Sequence, residues 1–145
     1  VSPSNLRTLP LLIVLALGGC GRTESRDVAT VRGRVLFQGR PLAGGVIVFA
    51  PHPDRGAAGK TATADIDANG EYKLRLDGQP YVRGGWYRVA IADPPGWTIP
   101  IPGETPRLSA VSPFPDALRR PDKSGLEREV VVGRENEFEF HIEVR

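Results

Sequence analysis

One cysteine, Cys20, stands in 145 residues, so no disulfide can close within the chain. Histidine is confined to His52 and His141, neither with a motif neighbour, which is little material for a zinc site built from spaced His and Cys ligands. An excess of charge of one sign is lacking too. The formal net charge is +2, with 19 basic residues dispersed among 17 acids. A phosphate-binding surface needs clustered Lys and Arg, so nucleic acid is not an expected partner. No apolar run reaches the roughly 20 residues that a membrane-spanning helix needs, and no stretch carries a helical apolar stripe. Glycine (17) and proline (14) are plentiful instead, which favours turns and short strands.

What is present begins with an export pattern. Arg7 is the one charged residue in positions 1–19, and Leu9 to Leu17 form an apolar core of signal-peptide length. The core ends in Leu17-Gly18-Gly19-Cys20. That ending resembles the bacterial lipobox, in which small residues precede a cysteine that is diacylated and becomes the mature N-terminus. The expectation is a signal peptide at 1–19, a lipidated N-terminus and polar tether at 20–27 with lipid attachment at Cys20, and one domain at 28–145. Two acyl chains anchor stably where one binds reversibly. Gly21 follows the cysteine where Asp acts as an inner-membrane retention signal in some bacteria. The expected address is therefore the cell envelope, at the outer membrane or periplasmic face. A chain without further thiols suits an exported protein.

Beyond the tether the period is two. Val31, Gly33, Val35 and Phe37 share one face of residues 28–37, with Arg32 and Arg34 on the other. Residues 46–50 are apolar on both faces and read as a central strand. Residues 61–76 read as a β-hairpin: Tyr72, Leu74 and Leu76 alternate with Glu71, Lys73 and Arg75, and Asp67-Ala68-Asn69-Gly70 supplies the turn. Tyr87, Val89 and Ile91 mark a strand at 86–92. Residues 93–125 break the rhythm with recurrent proline, which a helix cannot tolerate, and they hold enough apolar side chains for part of the segment to pack on the domain. Strands then follow at 126–132, with an awkward Arg128 in the register of Val130, and at 137–145, where Phe138, Phe140, Ile142 and Val144 share a face. The expected fold is an all-β, seven-stranded, Greek-key-type β-sandwich with the long Pro-rich loop before its last two strands.

These segments line up with a known pattern. Gly33-Arg34-Val35, then Gly39-Arg40-Pro41-Leu42-Ala43-Gly44 and Val46-x-Val48-Phe49, resemble the opening of carboxypeptidase regulatory-like domains. Asp67-Ala68-Asn69-Gly70-Glu71-Tyr72-Lys73-Leu74 is similar to their Asp-Gly-x-Tyr-x-Leu hairpin, and Gly85-Trp86-Tyr87-Arg88-Val89 to the strand that follows it. The closing Ser124-Gly125-Leu126 and Asn136-Glu137-Phe138 resemble the end of small bacterial lipoproteins built on that domain. The resemblance implies a prealbumin/transthyretin-like sandwich and a non-catalytic module. The long 93–125 loop departs from the minimal domain.

Candidate sites are few. Asp65-x-Asp67-x-Asn69-Gly70 matches the first half of an EF-hand loop, so Asp65, Asp67 and Asn69 are a Ca²⁺ candidate. Position twelve is Leu76 rather than Glu, and the flanks are strands, so turn chemistry accounts for the motif. An intradiol-dioxygenase-like iron site needs paired Tyr and His ligands, for which Tyr72, Tyr81 and Tyr87 and two histidines leave little room. Trp86 and Trp97 offer flat faces for a sugar ring. Trp86 precedes the inward Tyr87 and points away from the core. Arg119, Arg120 and Lys123 form a small basic cluster. No cofactor and no enzymatic activity are expected. The leading reading is a lipid-anchored, non-catalytic envelope module acting in adhesion, assembly or scaffolding. Its partners are the membrane through the N-terminal lipid, and an envelope protein or polysaccharide. A carbohydrate-binding module using exposed Trp and a Ca²⁺-stabilised domain are the alternatives.

Overall fold

The computed structural model describes residues 27–55, 59–94 and 114–144, so Cys20 and Trp97 lie outside the described residues. Strands follow in the order β1 (Val28–Phe37), β2 (Arg40–Pro41), β3 (Val46–Pro51), β4 (Ala62–Asp65), β5 (Glu71–Lys73), β6 (Val82–Arg83), β7 (Gly85–Ala92), β8 (Leu126–Val130) and β9 (Glu135–Ile142). One 3₁₀ turn, Asp116–Arg119, sits between β7 and β8. Seven of these segments correspond to the expected strands. The two-residue β2 and β6 are too short to show any period.

Two sheets pack face to face. In the first, β1 is central: it runs antiparallel to β5 through Arg32–Arg34 and parallel to β9 from Thr30 to Phe37. β2 folds back on its end and β6 pairs with its start. The second sheet has the order β4-β3-β7-β8, antiparallel throughout. β3 is thus an inner strand, as its two apolar faces require: Ile47 and Phe49 are buried, while Val48 and Ala50 on the outer side are half-buried. The first and last strands lie side by side, which closes the first sheet around β1.

The core is the set of inward residues that the period picks out, among them Val31, Val35, Leu74, Val89, Ile91 and Phe140. Phe49 is at its centre, with ring centroids 5.9–6.4 Å from Tyr72, Tyr87, Phe138 and Phe140. Four aromatic neighbours at offset and edge geometry contribute packing beyond area burial alone. Arg128, which occupies the inward register beside Val130, lays its guanidinium 4.5 Å from the Phe140 ring and 6.0 Å from that of Phe138. A cation over aromatic faces at a sandwich edge keeps its charge near water while its stem covers apolar surface.

The expected hairpin at 61–76 requires a correction. β4 belongs to the second sheet and β5 to the first. The two strands meet at Thr63 and Arg75, which exchange both backbone hydrogen bonds at 3.0 and 2.9 Å, and again where Asp67 N–H donates to the Glu71 carbonyl. Between those points no backbone pairing joins Asp65 to Lys73, and the chain crosses from one sheet to the other. Period and turn residues are the same for a flat hairpin and for a crossing, so alternation alone cannot separate them. The last strand likewise begins at Glu135 and ends at Ile142, leaving Val144 exposed. β8 ends at Val130, so Val132 is exposed too.

The described end of the Pro-rich stretch packs on the domain. Phe114 is buried and stacks on Phe37 with centroids 5.7 Å apart. Arg119 lies over the Phe114 ring and donates to the Asp93 carboxylate at 2.6 and 2.9 Å. The Asp93 side chain is only 5% exposed, so this pair ties the exit of β7 to the approach of β8.

Candidate functional site

The turn that suggested a metal site is built by one carboxylate. Asp67 Oδ1 accepts the Asn69 N–H at 2.8 Å and the Glu71 N–H at 2.9 Å. Gly70 has φ +76°, and a Cβ there would lie 2.7 Å from the Val35 carbonyl oxygen. Gly70 itself accepts the Val35 N–H at 2.8 Å. Asp, Asn and Gly are therefore used to close the turn and seat it on β1. Asp65 is exposed on β4. Among the described residues no group of three or more His, Cys, Asp or Glu side chains is placed to hold a metal ion. The groove of about 830 Å³ beside β4 and β5 is lined by Thr63, Asp65, Lys73 and Arg75, together with Glu71 and Asp77. The last two are paired with Arg34 and Lys60, each at 2.9 Å.

The strongest polar device in the core is a staple across β1. Gly33 sits between Tyr72 of β5 and Phe138 of β9. The Tyr72 hydroxyl donates to the Phe138 carbonyl at 2.9 Å. A Cβ on residue 33 would lie 1.8 Å from that carbonyl oxygen and 2.8 Å from the Tyr72 hydroxyl. Glycine is required there by contact. Burial pushes the Tyr72 phenol well above the ordinary tyrosine range, with nearby Arg128 opposing and Glu137 adding to the effect. Tyr87, whose hydroxyl donates to the Arg83 carbonyl at 2.7 Å, is raised by burial as well, against the opposing charge of Arg83. Both phenols are held neutral and spent on backbone carbonyls.

The histidines divide. His141 is exposed on the outer face of β9, 2.5 Å from Glu139. His52 is buried, and both ring nitrogens are occupied: Nδ1 accepts the Asp54 and Arg55 N–H groups at 3.2 and 3.3 Å, and Nε2 faces Glu127 at 3.2 Å. Accepting at Nδ1 places the proton on Nε2. His52 therefore caps the loop after β3 and ties it to β8. Glu127 also binds Arg55 at 2.5 Å, and the Arg55 guanidinium lies 4.4 Å from the Trp86 ring centre. Trp86 is half-buried on the outer side of β7, away from Tyr87 as expected. One face of its ring is covered by Arg55, which a stacking ligand on that side would have to displace.

Two residues with structural roles escape a reading by period. Asn136 is 2% exposed and binds the Val131 N–H at 2.9 Å, while its amide donates to the Val131 carbonyl at 3.0 Å and the Arg134 carbonyl at 3.2 Å. It stands in an inward register position, where a polar residue among Phe138, Phe140 and Ile142 was the available clue. Arg119 belongs to a run that reads as a solvated basic cluster, yet it pairs with Asp93 and Asp116, and Arg120 pairs with Asp122. No local pattern links Arg119 to Asp93.

No protein-family model matches the sequence, and no curated protein matches it. Solved structures do. A DUF3823 family protein from Parabacteroides merdae is similar at 12% identity and a TM-score of 0.41, over 79% of this chain and 45% of that one, so the chain spans less than half of that neighbour's length. The dioxygenase domain of a dioxygenase carbohydrate-binding protein fusion from the cellulolytic bacterium Streptomyces sp. SirexAA-E is similar at 26% identity and a TM-score of 0.40, over 85% of each chain.

Proposed function

We propose that this chain is a lipid-anchored, non-catalytic module of a bacterial cell envelope, held at Cys20 and presenting a β-sandwich for adhesion, assembly or scaffolding. The observation that carries the reading is the order of Arg7, the apolar core from Leu9 to Leu17 and Leu17-Gly18-Gly19-Cys20, followed by seven polar residues before β1 begins at Val28. Resemblance to carboxypeptidase regulatory-like domains supports the non-catalytic part. So does the placement of the best chemical groups: Tyr72, Tyr87 and His52 are bound into backbone contacts, and Glu127 is engaged by His52 and Arg55.

The test is fractionation of the wild-type chain and of Cys20→Ser in a bacterial host, with a fatty-acid analogue fed for labelling. The reading expects label on the wild type in the membrane fraction. It expects no label on Cys20→Ser, which moves to the soluble fraction once residues 1–19 are removed. A processed Cys20→Ser chain that still sediments with membranes would refute lipid anchoring.

A further inference from the structure

The end of the sandwich nearest the proposed lipid has a composition of its own. Five large apolar side chains are strongly exposed among the described residues, and three of them gather where the chain enters the domain: Tyr81 at 49%, Val132 at 44% and Val131 at 39%. Their proximity to the entry point follows from the hydrogen bonds. Gly84 N–H donates to the Asp27 carbonyl at 2.9 Å, Gly133 N–H donates to the Val28 carbonyl at 3.3 Å, and β6 pairs Val82 with Ala29. A Cβ built on Gly84 would lie 2.3 Å from Val132 Cγ1, which places the two loops against each other. Arg83 and Arg134 flank these residues, both exposed, and neither has an ion-pair partner among the described residues. Of the neighbouring acids, Glu135 is taken by Arg32 at 2.5 Å, while Asp27 and Glu129, opposite Trp86, have no ion-pair partner among the described residues, so the two arginines are balanced in number by two acids and the apolar side chains set the pole apart. The other two exposed apolar residues lie toward the opposite end: Val46 pairs with Asp65 at the end of β4, and Val144 follows the end of β9 at Ile142.

We propose that this pole, formed by Tyr81, Val131 and Val132 with Arg83 and Arg134, rests on an anionic bilayer surface. The proposal rests on the lipid-anchor reading, since Cys20 supplies the membrane. Seven residues, 21–27, separate Cys20 from β1 at Val28, a reach of at most about 29 Å when fully extended. The pole is therefore kept within that distance of the headgroups by covalent geometry. Tyr suits the membrane interface, where its ring is apolar and its hydroxyl wet. Arginine reaches anionic headgroups while its stem covers apolar surface. Contact at this pole turns the opposite end outward, and the sandwich stands on the membrane rather than swinging on its tether.

The test uses the mature chain from Cys20 onward, coupled through the Cys20 thiol to a maleimide lipid in vesicles containing about a third anionic phosphatidylglycerol, with amide hydrogen exchange as the readout. Chemical coupling makes the measurement independent of acylation in cells, so an unacylated Cys20 in the host would remove the anchor reading without deciding this one. Exchange at residues 79–84 and 131–134 is expected to slow several-fold relative to the uncoupled protein. Residues 143–144 should be unchanged, and an Arg83→Gln/Arg134→Gln double variant should lose most of the protection. Unaltered exchange within the core strands β1 and β7 of that variant certifies its fold. Equal exchange at the entry pole with and without vesicles would overturn the proposal, as would protection spread equally over both poles.

Discussion

Gly33 and Tyr72 are the residues on which the first sheet turns. The close approach of the Phe138 carbonyl to Gly33 leaves no space for a methyl group, and the contact is backbone, which cannot swing aside as a side chain can. Gly33→Ala is expected to cost about 2–4 kcal/mol in chemical denaturation. Tyr72→Phe keeps the ring on Phe49 and Phe140 but leaves the Phe138 carbonyl without its donor, an expected loss of about 1–2 kcal/mol. The two substitutions touch one contact, so the double variant should lose less than the sum of the singles, and strict additivity would contradict the staple. The same phenol sets a pH dependence. Tyr72 and Tyr87 are raised in the fold, so above the ordinary tyrosine value of about 10 the unfolded chain releases phenolic protons that the native state retains. Their contribution is fully present below that value and lost as pH rises beyond it. The urea midpoint should therefore fall above about pH 10, with a shallower fall in Tyr72→Phe. Parallel slopes in the two proteins would remove Tyr72 as a source.

At the scale of elements, two connections carry the second half of the chain. Asn136 holds the turn between β8 and β9 by bonding both backbone groups of Val131 from an inward position. Asn136→Ala removes a buried amide that satisfies part-buried backbone groups on both sides of the turn and is expected to cost about 1–3 kcal/mol, whereas loss of an exposed turn residue costs a few tenths. Arg119→Ala withdraws the guanidinium from a nearly buried Asp93 carboxylate and from the Phe114 ring. A loss of about 1–3 kcal/mol is expected, partly recovered by adding Asp93→Asn, because a neutral amide does not need the counter-charge. The strands themselves were legible: alternation marks the inward face of β1, β5, β7 and β9, and that face is the observed core. Pairing was not legible. Alternation records which face a residue uses and not which strand lies beside it, so the parallel β1–β9 pair and the crossing from β4 to β5 left no trace in the period. Long-range polar contacts were hidden for the same reason. Asp93 and Arg119 are 26 residues apart, and neither stands out in its own segment.

For the whole molecule, the candidate site splits between what the sequence announces and what the fold uses. In the Asp65, Asp67 and Asn69 motif, Asp67 accepts two N–H groups of the turn, and Trp86 is half covered by Arg55. Trp97 and Cys20 lie outside the described residues, and the lipobox resemblance at Cys20 is legible from sequence because it depends on local residue order alone. The central claim is that the mature protein begins at Cys20 and carries lipid there. Intact-mass spectrometry of the protein purified from bacterial membranes tests it most directly. The account predicts a mass lacking residues 1–19 and increased by a diacylglyceryl group on Cys20, with the increase absent from Cys20→Ser. A membrane-purified chain that retains residues 1–19, or one whose Cys20 is a free thiol, would contradict it.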